Sequence, residues 1–345
     1  MSQAAQKLGP VLIGIGAPGI TVDEELLLKH PAVGGVVLFT RNYDNPEQLA
    51  DLTRSIRELS GRPLLVCVDH EGGRVQRFRD GFTRLPPLGV LGRIHADFPE
   101  RALDMAYRHG RVMATELLLR GVDLSLAPVL DLNGGSRVIG DRAFSADPAV
   151  VVSLGAHYLA GMHDAGMRAC GKHFPGHGSV EADTHVEDVC DQRPLAQLEA
   201  GDIEPFRKLL QGLDAVMMAH VVYASAAPGP AGYSSFWIGD YLRGRLSFRG
   251  TVLSDDLGMQ AAGCAGKLAG RLTATLQAGC DAALVCDPRD AASLLAGVPN
   301  SPADATAALS RLRGHCPHTA AELETVGEWR HWRTSLEALE NTEWA

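Results

Sequence analysis

The chain has 345 residues, 46% hydrophobic and 21% charged, with a formal net charge of −9 at neutral pH. That is ordinary globular composition, with no shortage of apolar side chains for a core. The acidic balance argues against a nucleic-acid partner, which needs a basic footprint, but leaves room for a locally basic pocket.

The cysteines (Cys67, Cys170, Cys190, Cys264, Cys280, Cys286 and Cys316) are odd in number, scattered and without a C-x-x-C pair. Reduced thiols and a cytoplasmic location are expected. The start "MSQAAQKLGP" lacks the basic stretch and apolar core of a secretory signal. No apolar run reaches membrane-spanning length, so no membrane partner is expected.

Short apolar runs recur in chain order: "PVLIGI", "GGVVLF", "PLLVCVD", "DLSLAPVLDL", "GMRACGKHF", "AVMMAHV", "GTVLSDD" and "AALVC". They are continuously apolar rather than alternating, as in parallel strands buried on both faces. Helical patterns separate them. A helix is expected to start near Asp23. "PEQLADLTRSIREL" opens on Pro46 and carries Leu49, Leu52, Ile56 and Leu59 at helical spacing. "PERALDMAYRHGRVMATELLLRG" ends at Gly121, a helix stop. "PAVVVSLGAHYLAGMHDAG", "LAQLEAGDIEPFRKLLQGL" and "AAGCAGKLAGRLTATLQAG" complete the set. Eight strands alternating with helices predict an α/β fold, a (β/α)8 TIM barrel in a single domain over residues 1–300. Residues 301–345 are expected to form a C-terminal helical extension, with Trp329 and Trp332 docking on the barrel.

The competing architecture is an open doubly wound sheet. "GIGAPG" matches a dinucleotide fingerprint, but Pro18 sits inside its turn and the helix starts late. A plain strand-to-helix turn accounts for it better.

On the eight-strand map, polar residues collect at C-terminal strand ends. Asp69 closes strand 3 and Asp131 closes strand 4, with Arg142 in the loop that follows. Lys172 and His173 close strand 5, His220 lies near the end of strand 6, and Asp255 and Asp256 close strand 7. Barrel enzymes keep their chemistry at this face. Buried charges without partners are costly, so a purely structural account explains so many poorly. Some have plain alternatives. Asp69 could cap the "EGG" turn, Arg77 could be a surface arginine, and His220 could be a satisfied core histidine. Met217 and Met218 read as barrel packing. Asp256 reads as structural, because it points away from Asp255 if the strand continues.

"KHFPGHGSVEADTH" carries His173, His177 and His185. A zinc site is not expected, because Pro175 and Gly176 break the helix that i,i+4 ligands need. A phosphate cradle is opposed by Glu181 and Asp183. An acid–base loop remains: Asp183, two residues from His185, can orient its imidazole and hold its proton. With Asp255 as a fixed carboxylate opposite, the set suits displacement through a covalent intermediate. No cofactor is expected.

In order, "DHEGGRVQRF", "VIGDRAF", "GKHFPGHG", "DTH" and "LSDDLGM" resemble the bacterial β-N-acetylglucosaminidases (β-hexosaminidases) of glycoside hydrolase family 3. The chain is most similar to their short, single-domain cytoplasmic type, which serves peptidoglycan recycling. The resemblance implies a TIM barrel and a retaining mechanism. It implies Asp255 as nucleophile, His185 as acid/base with Asp183 as its partner, and Asp69, Arg77, Arg142, Lys172 and His173 as sugar-binding residues. An Asp–His pair thus stands where most retaining glycosidases use a second carboxylate. His70 stands where the family more often has Gln. The implied substrate is a carbohydrate: muropeptides, the GlcNAc–1,6-anhydro-N-acetylmuramoyl disaccharide free or peptide-bearing, losing its terminal β-GlcNAc. A monomer is expected. An NAD-linked oxidoreductase built on "GIGAPG" and a catalytically silent sugar-binding barrel are the alternatives from other classes.

Overall fold

In a computed structural model that describes residues 7–179, 190–299 and 302–340, all eight apolar runs contain strands. They are β1 (Val11–Gly14), β2 (Val33–Leu38), β3 (Leu65–Val68), β4 (Leu124–Ser125), β5 (Cys170–Phe174), β6 (Ala215–Met218), β7 (Thr251–Asp256) and β8 (Ala282–Val285). Hydrogen bonding runs in the order β4-β3-β2-β1-β8-β7-β6-β5, parallel throughout. The ring closes between β4 and β5. Val129 bridges Lys172 in parallel, and the Leu130 N–H donates to the Lys172 carbonyl at 2.8 Å. β4 meets β3 through Leu124–Ser125 and meets β5 a few residues later, so it slides along the barrel wall between its neighbours. The result is the expected (β/α)8 barrel.

Helices follow the strands: α1 (Val22–Lys29), α2 (Pro46–Ser60), α3 (Pro99–Leu119), α4 (Pro148–Asp164), α5 (Ile203–Leu209), α6 (Phe236–Arg245), α7 (Leu268–Ala278) and α8 (Pro288–Leu295). Four open on proline, whose missing N–H has no partner to lose in the first turn. Three of these four are capped by the preceding side chain: Asn45, Asp147 and Asp287 accept from backbone N–H groups one turn on.

Two predicted helices are broken. The stretch after residue 194 forms Leu195–Ala200 and then α5. Pro205 has no N–H to bond the Gly201 carbonyl and would clash with it, so one helix cannot run through. The stretch before β8 forms a 3-10 segment, Gln260–Ala265, and then α7, because Gly266 turns with φ +79°. The helix Leu88–Asp97, the hairpin of His70–Gly72 with Val75–Gln76, and α6 with its i→i+5 hydrogen bonds were not foreseen. Near the C-terminus, helix Gly327–Glu340 lies against α3: the Trp332 ring meets Tyr107 edge-on at 6.2 Å, and Arg333 donates to Thr83 at 2.8 Å.

The "GIGAPG" turn is filled by its own chain. The Glu24 carboxylate accepts from the Gly16 N–H at 2.6 Å, and Asn42 donates to the Ile15 and Ala17 carbonyls. A carboxylate stands where a pyrophosphate would need those amides, which removes the dinucleotide reading.

Behind the β3 hairpin, His70 is buried between Phe78 and Phe82, with ring centroids 5.6 Å away, and His109 is buried nearby. Burial, reinforced by His109 and Arg77, pushes the His70 pKa down to about 3; burial likewise pushes His109 down to about 4. The unfolded chain binds these protons near pH 6.5, where the folded chain refuses them. Their contribution to stability is therefore complete above pH 6.5 and is lost as pH falls toward the folded values. Unfolding free energy should drop between pH 7 and 5 by up to about 1.4 kcal/mol per pH unit for each such histidine. His70→Gln should flatten that slope in urea melts taken across the same range; an unchanged slope would remove His70 as its source.

Candidate active site

The site begins with the hairpin after β3. Asp69 leaves the strand, and "HEGG" turns back at Gly72 and Gly73, with φ +106° and +53°. A Cβ on Gly72 would stand 2.5 Å from the Pro86 carbonyl oxygen, so the turn needs glycine twice over. This tight turn buries Glu71, which is 2% exposed.

Glu71 meets two cations from different parts of the chain. Arg142 grips it with both prongs, Nε and Nη2 each 2.8 Å from a carboxylate oxygen. Lys172 Nζ lies 2.6 Å from Glu71 Oε1 and 2.6 Å from Asp69 Oδ1. Burial pushes the Glu71 carboxyl up, but Arg142 and Lys172 more than reverse it and hold the group well below the usual carboxylate range. Burial pulls Lys172 down, and Asp69 and Glu71 outweigh that, so the ammonium stays charged. Arg77 stands further off, 3.8 Å from Asp69 Oδ2 and partly open to solvent.

Beside Lys172, His173 is aimed by Asp131. The Asp131 carboxylate lies 2.7 Å from His173 Nδ1 and accepts the His177 backbone N–H at 2.7 Å. With Nδ1 engaged, Nε2 is the ring atom left for a ligand. Burial raises the Asp131 carboxyl, but the adjacent imidazoles prevail and keep it ionised.

Asp255 stands at the end of β7. The Asp256 backbone N–H donates to its Oδ1 at 2.8 Å. Burial raises its carboxyl; His173, His220, that N–H and Lys172 together bring it below its ordinary value. The anion is thus held ready in a site whose cations lie across the cavity. Asp256 behaves oppositely: burial, with Asp255 and Asp290 adding to it, outweighs the N–H donors of Gly258 and Cys286 and raises its carboxyl. It ties β7 to β8, but it also borders the cavity. Its bonds to the Gly258 and Cys286 backbone N–H groups agree with the structural role expected of it.

Asp69, Arg77, Arg142, Lys172, His173 and Asp255 all line one cavity of about 630 Å³ at the C-terminal mouth. Met217, Leu284 and Met259 supply apolar wall. Asp183 and His185 lie outside the described residues. Among those described, no three His, Cys, Asp or Glu side chains converge as metal ligands. Glu71 and Asp131 escaped the sequence reading as site members. Their signal was available in charge balance: two cations at neighbouring strand ends need a buried counter-charge, and "DHEGG" offers it.

Residues 11–305 match the glycosyl hydrolase family 3 N terminal domain. The chain belongs to glycosyl hydrolase family 3. Its relatives there carry the name β-hexosaminidase: the protein of Tolumonas auensis is 48% identical over 334 residues, covering 96% of this chain and 98% of that protein. The protein of Stenotrophomonas maltophilia strain K279a is 53% identical over 279 residues, covering 81% and 83%. Among solved structures, native NagZ from Neisseria gonorrhoeae superposes with a TM-score of 0.90 at 40% identity, covering 97% of this chain and 99% of that one. The same Neisseria protein has been solved with N-trifluoroacetyl-D-glucosamine and with a zinc ion. The chain is accordingly a family 3 enzyme of the β-hexosaminidase kind.

Glu71→Ala should strand Lys172 and Arg142 in a buried site with Asp69 as the nearest remaining acid. A loss of about 3–5 kcal/mol in unfolding free energy is expected, the cost of a broken buried pair. Urea denaturation of the variant beside Asp69→Ala, which opens only the solvent-facing side, measures it. Equal and small losses would show that Glu71 is not the keystone.

Proposed function

We propose that this enzyme is a retaining exo-β-N-acetylglucosaminidase acting on peptidoglycan fragments, with GlcNAc–1,6-anhydro-N-acetylmuramic acid and its peptides as substrates. The observation that carries this reading is Asp255: an ionised carboxylate at the end of β7, facing Lys172 and His173 in a cavity of about 630 Å³. The cavity has room for more than one sugar ring and is lined by fixed polar groups. The N-trifluoroacetyl-D-glucosamine bound by the Neisseria relative supports a terminal N-acetylated sugar.

In this mechanism Asp69, Lys172, His173, Arg142 and Arg77 present hydrogen bonds to the terminal sugar, whose C1 is set against Asp255. Asp255 attacks C1 as the bond to the leaving oxygen breaks, and a glycosyl ester forms. His185, held in its protonated form by Asp183, gives its proton to the leaving oxygen. It then takes a proton from the water that cleaves the ester, so the β-configuration is retained. The fixed carboxylate needs no proton and the imidazole needs one, which divides the two roles between groups of different pKa.

We further assign the chemistry to residues 1–300, with 301–345 as an extension packed on the barrel, and place the enzyme in the cytoplasm as a monomer. No helix among the described residues is long and apolar enough to cross a membrane.

Three experiments test this reading. An aryl β-GlcNAc should be cleaved far faster than the matching aryl β-glucoside. A slow-turnover fluorinated GlcNAc derivative should leave its sugar mass on the peptide containing Asp255, and Asp255→Ala should lose nearly all turnover. An adduct on Asp256 would overturn the assignment. His185→Ala and Asp183→Ala should lower kcat/KM for the disaccharide by about a hundred- to ten-thousand-fold. They should lower it much less for the dinitrophenyl glycoside, whose leaving group needs no proton. Equal losses on both substrates would mean that the pair only shapes its loop.

A further inference from the structure

His220 is the one strand-end residue that the site has not absorbed. It does not line the cavity. It is 1% exposed, two residues past the end of β6, with its ring 5.5 Å from Tyr233. Neither ring nitrogen closes a hydrogen bond with a described residue. A buried imidazole always has at least one N–H to place, and a buried donor without an acceptor is rare because it is costly.

The sheet register says what lies beside it. Leu253 pairs with Met217 and Ser254 with Met218. Carried on, that register sets Ala219 beside Asp255 and His220 beside Asp256. The polar groups acting on the ring agree: burial disfavours its charged form, while the Asp255 carboxylate and the backbone of Asp255 and Asp256 favour a proton on it, and Arg271 opposes one. The balance leaves the imidazole neutral, with acceptors on β7 and a cation on the other side. An N–H cannot donate to Arg271, and the β7 end offers it acceptors.

The nucleophile's strand is already held from its opposite edge. Ser254 Oγ donates to the Asp255 carbonyl at 2.6 Å and accepts the β8 amide of Leu284 at 3.2 Å. The β6 edge holds the strand by its backbone ladder up to Ser254, and among the described residues no side-chain hydrogen bond from that edge reaches Asp255 or Asp256. We propose that His220 is a positioning residue, whose ring N–H engages the backbone at Asp255–Asp256 and keeps the Asp255 carboxylate aimed into the cavity. The proposal rests on reading Asp255 as the nucleophile.

His220 acts here as a donor, not as a charge. The Asp255 carboxylate is otherwise faced by Lys172, His173 and His177 from the β5 side, by Asp256, and by the neutral thiols of Cys170 and Cys286. The cations among those groups set the acid limb of the pH profile together with His220 once it is protonated, so an uncharged replacement leaves that limb at or above its wild-type position.

His220→Leu keeps an apolar filling and removes the donor; His220→Asn and His220→Gln return an N–H at the reach of Nδ1 and Nε2 respectively. On an activated aryl β-GlcNAc, the leucine variant should lose about 10²-fold in kcat/KM, the scale of a slightly misplaced reacting group. Its inhibition by free GlcNAc should shift less than about three-fold, because ground-state sugar contacts are untouched. One amide variant should recover most of the plateau rate, with an acid limb at or above the wild-type position. Full activity in the leucine variant overturns the proposal. So do folded asparagine and glutamine variants that are both as slow as leucine. If the leucine variant fails to fold, near wild-type rate in one amide variant sustains the proposal and low rate in both overturns it. Trapping on the wild-type enzyme separates the two readings. An adduct away from Asp255 fells the nucleophile assignment and this inference with it. An adduct on Asp255 beside an unimpaired leucine variant fells this inference alone.

Discussion

Glu71 is clamped between Arg142 and Lys172, and the mouth of the barrel is organised around that contact. Three segments meet there: the hairpin after β3, the loop after β4 and the end of β5. Two cations and one anion removed from water gain little net stability, because desolvation cancels most of their attraction. What they gain is geometry. The bidentate grip fixes the direction of Arg142. Lys172, shared with Asp69, fixes the direction of that solvent-facing carboxylate. Removing any one member leaves a buried charge unmatched, so the three segments are locked in register at their most exposed ends.

Next to that lock runs a second and smaller one. Lys172 and His173 are adjacent in β5, so a strand held through one presents the other at a set angle. Asp131, arriving from the end of β4, then takes His173 Nδ1 and two backbone amides. It is the same β4–β5 seam that closes the barrel. Closure of the fold and orientation of the site are therefore one event here. That explains why a β4 with only two residues in its ladder to β3 is tolerated: side-chain bonds at the mouth hold what the backbone ladder does not.

Most of this architecture was legible from residue order. Eight apolar runs became eight strands, and proline-led helices started where their prolines stood. Strand-end charges gathered at one mouth because strand direction is common to all eight. What escaped did so for identifiable reasons. Glu71 was read as part of a turn, since the turn glycines were the louder signal. Asp131 was seen at its strand end, but its grip on His173 depends on a seam that no local pattern reveals. Pro205 broke a helix whose hydrophobic spacing looked unbroken. Local propensity reads elements well; pairings between elements, which decide where a charge is neutralised, are set by tertiary contact.

The proposed use of an imidazole as proton donor agrees with the same electrostatics. Glu71, Asp69, Asp131, Asp255 and Asp256 already crowd the mouth, and Asp256 is held toward its protonated form, by burial above all. In the two-carboxylate plan, the acid stays protonated because a neighbouring carboxylate repels its charge, and that repulsion acts equally on the nucleophile. Here such a coupling would raise Asp255, which the site keeps below its ordinary value. A cationic donor acts the other way: while protonated it favours the Asp255 anion, and once it has given its proton the attraction ends, at the moment the nucleophile's charge has been spent on the glycosyl bond. The proposed Asp183–His185 pair therefore suits an acid-rich mouth better than a further carboxylic acid would.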